Sequence, residues 1–258
     1  MELDHLVINT LRGMEDAARI FTALGFALTP RGYHSLGSVN HLAVVPGAYL
    51  ELVGLPETGK QRQEVLDSPL GLSGLVFKTD DPDALYARLT AQGLAVAEPI
   101  AFSRPVELAD ETRHARFRTV RLAPTVFPAG RVYFCQHFTP ELVWRPEDMT
   151  HPNGFRAMSR LVADSPDPKA EAALYARVLD IGVQRADAGW LLELGAFALE
   201  LRQGPRHRFA RAVLDFDDCT ALAARATAAQ GVNWAGTAAG GTLSIAALDL
   251  DLVCRAAR

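Results

Sequence analysis

The feature that most constrains this chain is repetition. Four short apolar runs, at residues 6–10 (LVINT), 75–79 (LVFKT), 161–165 (LVADS) and 212–217 (AVLDFD), each lead into a stretch with helical spacing. The stretches share strings: ALYAR stands at 84–88 and again at 173–177, and TAQG at 90–93 is echoed by TAAQG at 227–231. Self-similarity at a fixed spacing is the mark of a duplicated supersecondary unit. Asp80 and Asp81 before Pro82, and Ser165 before Pro166, read as helix starts, because a capping oxygen followed by proline suits a first turn. Leu85 and Leu89 fall on one helix face. Gly25, Gly93, Gly182 and Gly231 stand where the helices should stop, as left-handed caps do. Strand-like runs follow each helix: NHLAVV and AYLELVG around Gly47, and WLLELGAFALELRQ around Gly195. Near the C-terminus Leu248, Leu250 and Leu252 alternate with Asp249 and Asp251, and Gly240-Gly241 reads as a hairpin turn. The unit is β-α-β-β-β, so the fold class expected is α+β, with shorter third and fourth copies. Residues 138–154 (FTPELVWRPEDMTHPNG) break the pattern and read as a connection between two domains, at 1–145 and 155–258.

Composition narrows the function classes. Hydrophobic residues make up 49% and charged residues 22% of the 258, an ordinary globular balance, and the net charge of −4 comes without a basic stripe. Nucleic acid is therefore not an expected partner. No apolar run approaches the roughly 18 residues of a membrane span, and MELDHLVINT lacks the basic start of a signal peptide. Three scattered cysteines, Cys135, Cys219 and Cys254, suit neither a disulfide framework nor a zinc knuckle and fit a reducing cytoplasm. G-x-S-x-G, P-loop and G-x-G-x-x-G motifs are all missing from the sequence.

A β-α-β-β-β unit present twice per domain resembles the vicinal oxygen chelate superfamily, which includes glyoxalase I, bleomycin- and fosfomycin-resistance proteins and extradiol dioxygenases. LDHLVI at 3–8 is similar to its first strand and AYLELVG at 48–54 to its fourth; FCQHFTPELVW followed by HPNG resembles the glyoxalase-like domain group within it. The resemblance implies two modules packed into a curved sheet, a metal in its cup, and up to four ligands from the first and last strands of each module. Carried over, it places ligands at His5 and Glu51, with Glu51 also the catalytic carboxylate. Gly74 stands opposite His5 in module two, so one ligand is missing. Aligning AYLELVG with RVYFCQH brings Cys135 nearest to Glu51, with His137 two residues on and on the same strand face.

His5, Glu51 and His137 would form a set of two imidazoles and a carboxylate, suited to Fe(II) and compatible with Mn, Zn or Ni. Such an ion would polarise neighbouring substrate oxygens, which the superfamily uses for lyase, isomerase and dioxygenase reactions. Arg104 and Arg118 lie where the cup should be and suit a carboxylate or phosphate. His41 and His34, on the middle strands, are further candidates for lining it. Trp144 is assigned to packing and His151 to fixing the HPNG turn. In the second half, Arg160 and Arg211 occupy the place of His5 and only Glu200 matches Glu51, so no metal cluster is expected there; that half could be structural, bind an anion or pair with another chain. The alternative function is a metal-free protein that sequesters a small molecule, as bleomycin-resistance proteins do. A small-molecule ligand and a monomer or homodimer are expected.

Overall fold

The computed structural model describes residues 1–257. Module one is β1 (Leu3–Leu11), α1 (Met14–Ala23), β2 (Gly32–His34), β3 (Ser38–Val45) and β4 (Ala48–Gly54). A short helix, α2 (Gln63–Leu66), precedes module two: β5 (Gly71–Lys78), α3 (Pro82–Ala91), β6 (Ile100–Glu107), β7 (Thr112–Arg121) and β8 (Arg131–His137). Module three is β9 (Phe155–Ser165), α4 (Pro168–Leu179), β10 (Gln184–Ala186), β11 (Gly189–Leu194) and β12 (Phe197–Gln203). Module four is β13 (Arg208–Phe216), α5 (Thr220–Ala228), β14 (Val232–Thr237), β15 (Gly240–Ile245) and β16 (Leu250–Ala256). Each pair of modules makes one curved eight-stranded sheet, in the orders β2-β3-β4-β1-β5-β8-β7-β6 and β10-β11-β12-β9-β13-β16-β15-β14. The fold is α+β, as the repeat implies.

Both sheets are built on one rule. The first strand of each module runs parallel to the module's own last strand, and the two first strands meet antiparallel at the sheet centre. In the first sheet Leu6 faces Leu75 across that central pair. A local two-fold through this pair exchanges His5 with Gly74 and Val7 with Val76.

Local chemistry sets the helix ends. Asp81 accepts the Ala84 N–H at 2.9 Å, with Pro82 in the first turn. In module three the cap is Asp167, which accepts from Ala170 at 3.0 Å, rather than Ser165. Ser165 ends β9, and its hydroxyl accepts the Asp167 N–H, forming the turn into the helix. Gly25, Gly93 and Gly231 have positive φ, but α4 ends two residues before Gly182, on Asp180 at φ 54°. Gly240 and Gly241 open β15 instead of forming its turn. A Cβ on Gly241 would come within 2.6 Å of the Gly236 backbone, so the pair permits close strand approach.

One apolar core takes the convex faces of both sheets together with the helices. Leu6, Ile8, Leu75 and Phe77 from the first sheet and Leu161, Ala163, Ala212 and Leu214 from the second are all buried in it. Phe127 stacks on Tyr175 with ring centroids 3.8 Å apart, which ties module two to α4. The connecting segment is bolted to module one. Asn153 donates from its backbone to Gly25 O and from its side chain to Leu24 O, satisfying carbonyls at the end of α1. His151 accepts the Ala27 N–H at Nδ1 (3.0 Å) and donates from Nε2 to Val44 O (2.8 Å). With the convex faces consumed, each sheet is left with its concave face.

The His151 ring must be neutral to accept at Nδ1, and burial lowers its pKa below 6.5. The unfolded chain therefore takes up a proton near pH 6.5 that the folded chain refuses until lower pH. Its contribution to stability is complete above about pH 6.5 and is lost as pH falls toward the folded value. Thermal melts from pH 7.5 to 5 should show a fall in Tm that is smaller in His151→Gln; equal slopes would remove His151 from the account.

Candidate functional site

Strand alternation decides which side chains enter the first cup. His5 and Val7 come from β1, Tyr49, Glu51 and Val53 from β4, and Arg131, Tyr133 and Cys135 from β8. Asn40 and Leu42 on β3, Phe102 and Arg104 on β6, and Phe117 and Thr119 on β7 form the walls. The sheet's edges meet where the Ser35 N–H donates to Ser103 O at 3.0 Å. Leu142, Val143 and Trp144 of the connecting segment close the far end, with Trp144 donating to Ala48 O. The void left among these groups is about 20 Å³, room for one water or a monatomic ion.

A buried carboxylate organises the floor. Asp4 lies at an irregularity in the β1–β5 ladder and is 0% exposed. Its Oδ1 meets His5 Nδ1 at 2.5 Å and its Oδ2 meets His137 Nε2 at 2.8 Å. Burial raises the Asp4 pKa, but the two imidazoles outweigh burial and hold it below the usual carboxylate range. An ionised Asp4 only accepts, so His5 carries its proton at Nδ1 and presents the Nε2 lone pair to the cup. Tyr133, whose pKa burial raises, keeps its proton and donates to that lone pair at 3.1 Å. His5 also stacks on Tyr49, with centroids 4.3 Å apart.

Glu51 Oε2 is 3.7 Å from His5 Nε2, and Oε1 accepts from Asn40 at 2.7 Å. Burial opposes its ionisation, but His5, His34 and the Asn40 bond lower its pKa overall. His34 lies behind Asn40, at 3.3 Å, and burial pushes its pKa down to about 4, so it is neutral. The His5 lone pair and the Glu51 carboxylate thus converge on one point, an arrangement that a cation between them would stabilise. Two arginines share the cup. Arg104 is 5% exposed and burial lowers its pKa. Arg131 shows the same direction for the same cause, and its Nε and Nη2 are shielded from solvent without a hydrogen-bond partner.

Several sequence expectations are placed differently. His5, Glu51 and Arg104 face the cup. His137 binds Asp4, on the far side of His5 from Glu51, so it does not converge with them. Asp4, Cys135 and His137 do bring ligand atoms within 4.8 Å of one another, but burial raises the Cys135 thiol pKa, which disfavours the thiolate a metal needs. Arg118 lies outside the cup and forms a bidentate pair with Asp83 of α3 at 2.6 and 2.7 Å. His41 shares the convex-side face of Val39 and Ala43, donating to Thr29 O and accepting from Arg31. The residue matching Glu51 is Tyr133, not Cys135. Val7 pairs with Glu51 and its two-fold mate Val76 pairs with Tyr133. That register is a property of paired strands and is not visible in the strings alone. Asp4, Asn40 and Arg131 carried no sequence signal of their own, and Trp144 closes the cup as well as packing the linker.

The sequence model of the glyoxalase-like domain matches residues 3–179. The chain belongs to the glyoxalase-like domain family. No curated protein sequence matches it. Among solved structures, a hypothetical protein from Staphylococcus aureus is similar over 99% of both chains (TM-score 0.72, 13% identity). A Mn(II)-bound glyoxalase from Novosphingobium aromaticivorans is similar over 99% of this chain and 81% of its own (0.57, 14%). A mutant of 4-hydroxymandelate synthase from Streptomyces coelicolor is similar over 99% of this chain and 92% of its own (0.56, 12%). At these identities the likeness is one of fold, that of the vicinal oxygen chelate superfamily.

Within this glyoxalase-like frame the second cup differs in kind. Arg160 replaces His5 and forms a 2.6 Å ion pair with Glu200, the match to Glu51. An ion pair thus occupies the place of the imidazole–carboxylate pair. In the first cup, Gly74 cannot readily regain a ligand, since a Cβ there would lie 2.7 Å from Val7 Cγ2 and 2.8 Å from its Cβ. Gly74→Ala should cost about 1–3 kcal/mol through overpacking, measured by urea unfolding; a gain in stability would show that Val7 yields freely.

Proposed function

We propose that this chain is a glyoxalase-like enzyme that binds one divalent cation at His5 and Glu51 in the first cup and acts on a small oxygenated molecule that reaches it from the side of the cup. The observation that carries the reading is the convergence of the His5 Nε2 lone pair and Glu51 Oε2, 3.7 Å apart. A single ion with bonds of about 2.1 Å could span that separation. Asp4 on the other imidazole nitrogen fixes tautomer and ring orientation, the role that carboxylates fill behind metal-bound histidines. The mixed oxygen and nitrogen donors suit Mn, Fe, Zn or Ni. When bound, such an ion supplies Lewis acidity at adjacent substrate oxygens.

The chain's own residues define what else the site does. Tyr133 is a neutral donor aimed at the same point and suits hydrogen bonding to a substrate oxygen. Asn40 holds Glu51 Oε1; Oε2, when it is not holding the ion, is placed to accept a proton. The walls and the connecting segment exclude bulk water, which strengthens these interactions. A lyase or isomerase step that moves a proton beside an oxygen needs no further group; dioxygenase chemistry would also need an open position for oxygen.

A second reading is favoured by one observation. Both module-two ligand places lack a metal donor of the expected type, being Gly74 and Tyr133, which suits a metal-free binding protein. Metal titration separates the two. Manganese, iron(II), zinc or nickel should raise Tm and bind near one equivalent, and His5→Ala and Glu51→Ala should each abolish the effect. His207→Ala, which breaks a pair with Glu171 in the second domain, should not. No shift with any of the four, together with less than about a tenth of an equivalent retained after purification without chelators, would select the metal-free reading.

A further inference from the structure

Beside the first cup lies a cavity of about 170 Å³, bounded by the segment 62–69, the loop 124–130 and β8. Arg62, Arg131 and Tyr133 line both this cavity and the cup, so a molecule held in one reaches the wall of the other. Its volume is near that of a cavity able to hold benzene. Its walls are mixed. Leu122, Phe127 and Val132 give an apolar side, and Arg62, Arg121, Arg131, Glu64 and Asp67 give a charged one. Glu64 is already engaged by Arg62 and by Arg121, at 2.7 and 2.6 Å.

Arg131 is the exception among these charges. Its Nε and Nη2 are shielded and unpartnered, and no side chain bonds to its guanidinium; Arg121 Nε is unpartnered too. A buried guanidinium with no carboxylate bonded to it is costly to keep, even with Glu51 and Glu64 near. The cost is offset when an anion arrives.

We propose that this cavity binds a small organic carboxylate. Its apolar body lies against Leu122, Phe127 and Val132. Its carboxylate pairs with the Arg131 guanidinium, and an adjacent oxygen is directed at Tyr133, which lines both spaces. Arg131 and Tyr133 are two apart on β8, about 6.6 Å along the strand, a span that a substituted carboxylic acid covers. The inference rests on the first cup being the working site, and it names the substrate class; it does not depend on the ion.

Benzoate, its neutral isostere benzamide and inorganic phosphate are the probes, titrated calorimetrically into the full chain with and without EDTA. Benzoate should bind at least about tenfold more tightly than benzamide, the scale of a charge-assisted pair, and more tightly than phosphate, which has no apolar body. Arg131→Gln should lose at least about tenfold in benzoate affinity, and Arg131→Lys should recover part of it. Arg131→Met, which removes an unpaired buried charge, should melt no lower than the parent, so that a loss of binding is not a loss of fold. Equal binding of benzamide, tighter binding of phosphate, no benzoate binding, or unchanged affinity in Arg131→Gln would each overturn the proposal. Benzoate binding that survives EDTA in a chain that takes up no metal would uphold it while removing the metal-dependent reading; metal uptake without benzoate binding would do the reverse.

Discussion

The antiparallel pairing of β1 with β5 is the constraint from which the rest of the first domain follows. Two first strands meeting at the sheet centre, each parallel to its own module's last strand, bring four strands together at the cup floor. Because Leu6 faces Leu75, every other position is fixed by counting. His5 is matched with Gly74, and Glu51, through its partner Val7, with Tyr133. A one-residue slip would turn His5 and Val7 from the cup into the apolar core. The core resists that slip, since Leu6 and Ile8 are fully buried among the side chains of both sheets and no charged group could take their place without loss. Packing on the convex side thus sets the chemistry on the concave side.

The two domains share this frame and spend it differently. In the second sheet, Arg160 and Glu200 neutralise one another where His5 and Glu51 stand in the first. Their side chains are 41% and 9% exposed, so water screens the pair and little demands an added ligand. In the first sheet the groups are closed in by the connecting segment and the meeting of β2 with β6. A buried Asp4 then matters more than any surface charge. It keeps two imidazoles in fixed tautomers, and that turns the His5 lone pair toward Glu51 rather than away from it.

Much of the fold could be read from the sequence because repetition is a local signal. The ALYAR strings, the Asp81–Pro82 start and the glycines after the helices all act over a few residues, and the modules followed from them. The misplacements share a cause. Arg118 and His41 belong to modules that build the cup, but alternation turns each toward the convex side. His137 stands two residues from Cys135 on β8, but its partner, Asp4, lies at an irregularity that alternation cannot foresee. Tyr133 required the register of two parallel strand pairs, a long-range property. Arg131 is legible only when burial and missing partners are known.

The same counting explains why the module-two half of the cup departs from a four-ligand arrangement. Val7 leans over Gly74 and fills the space a ligand there would need. Tyr133 puts a protonated phenol where a second carboxylate would otherwise stand, and Arg131 adds a cation two residues away. Module one contributes a lone pair and a carboxylate; module two contributes a hydrogen-bond donor and a positive charge. A cup divided in this way is polarised across its two-fold. A ligand that matches it presents a cationic or metal-bridged face to His5 and Glu51 and an electron-rich face to Tyr133 and Arg131. The loss of symmetry between the modules is therefore what gives the first cup its polarity.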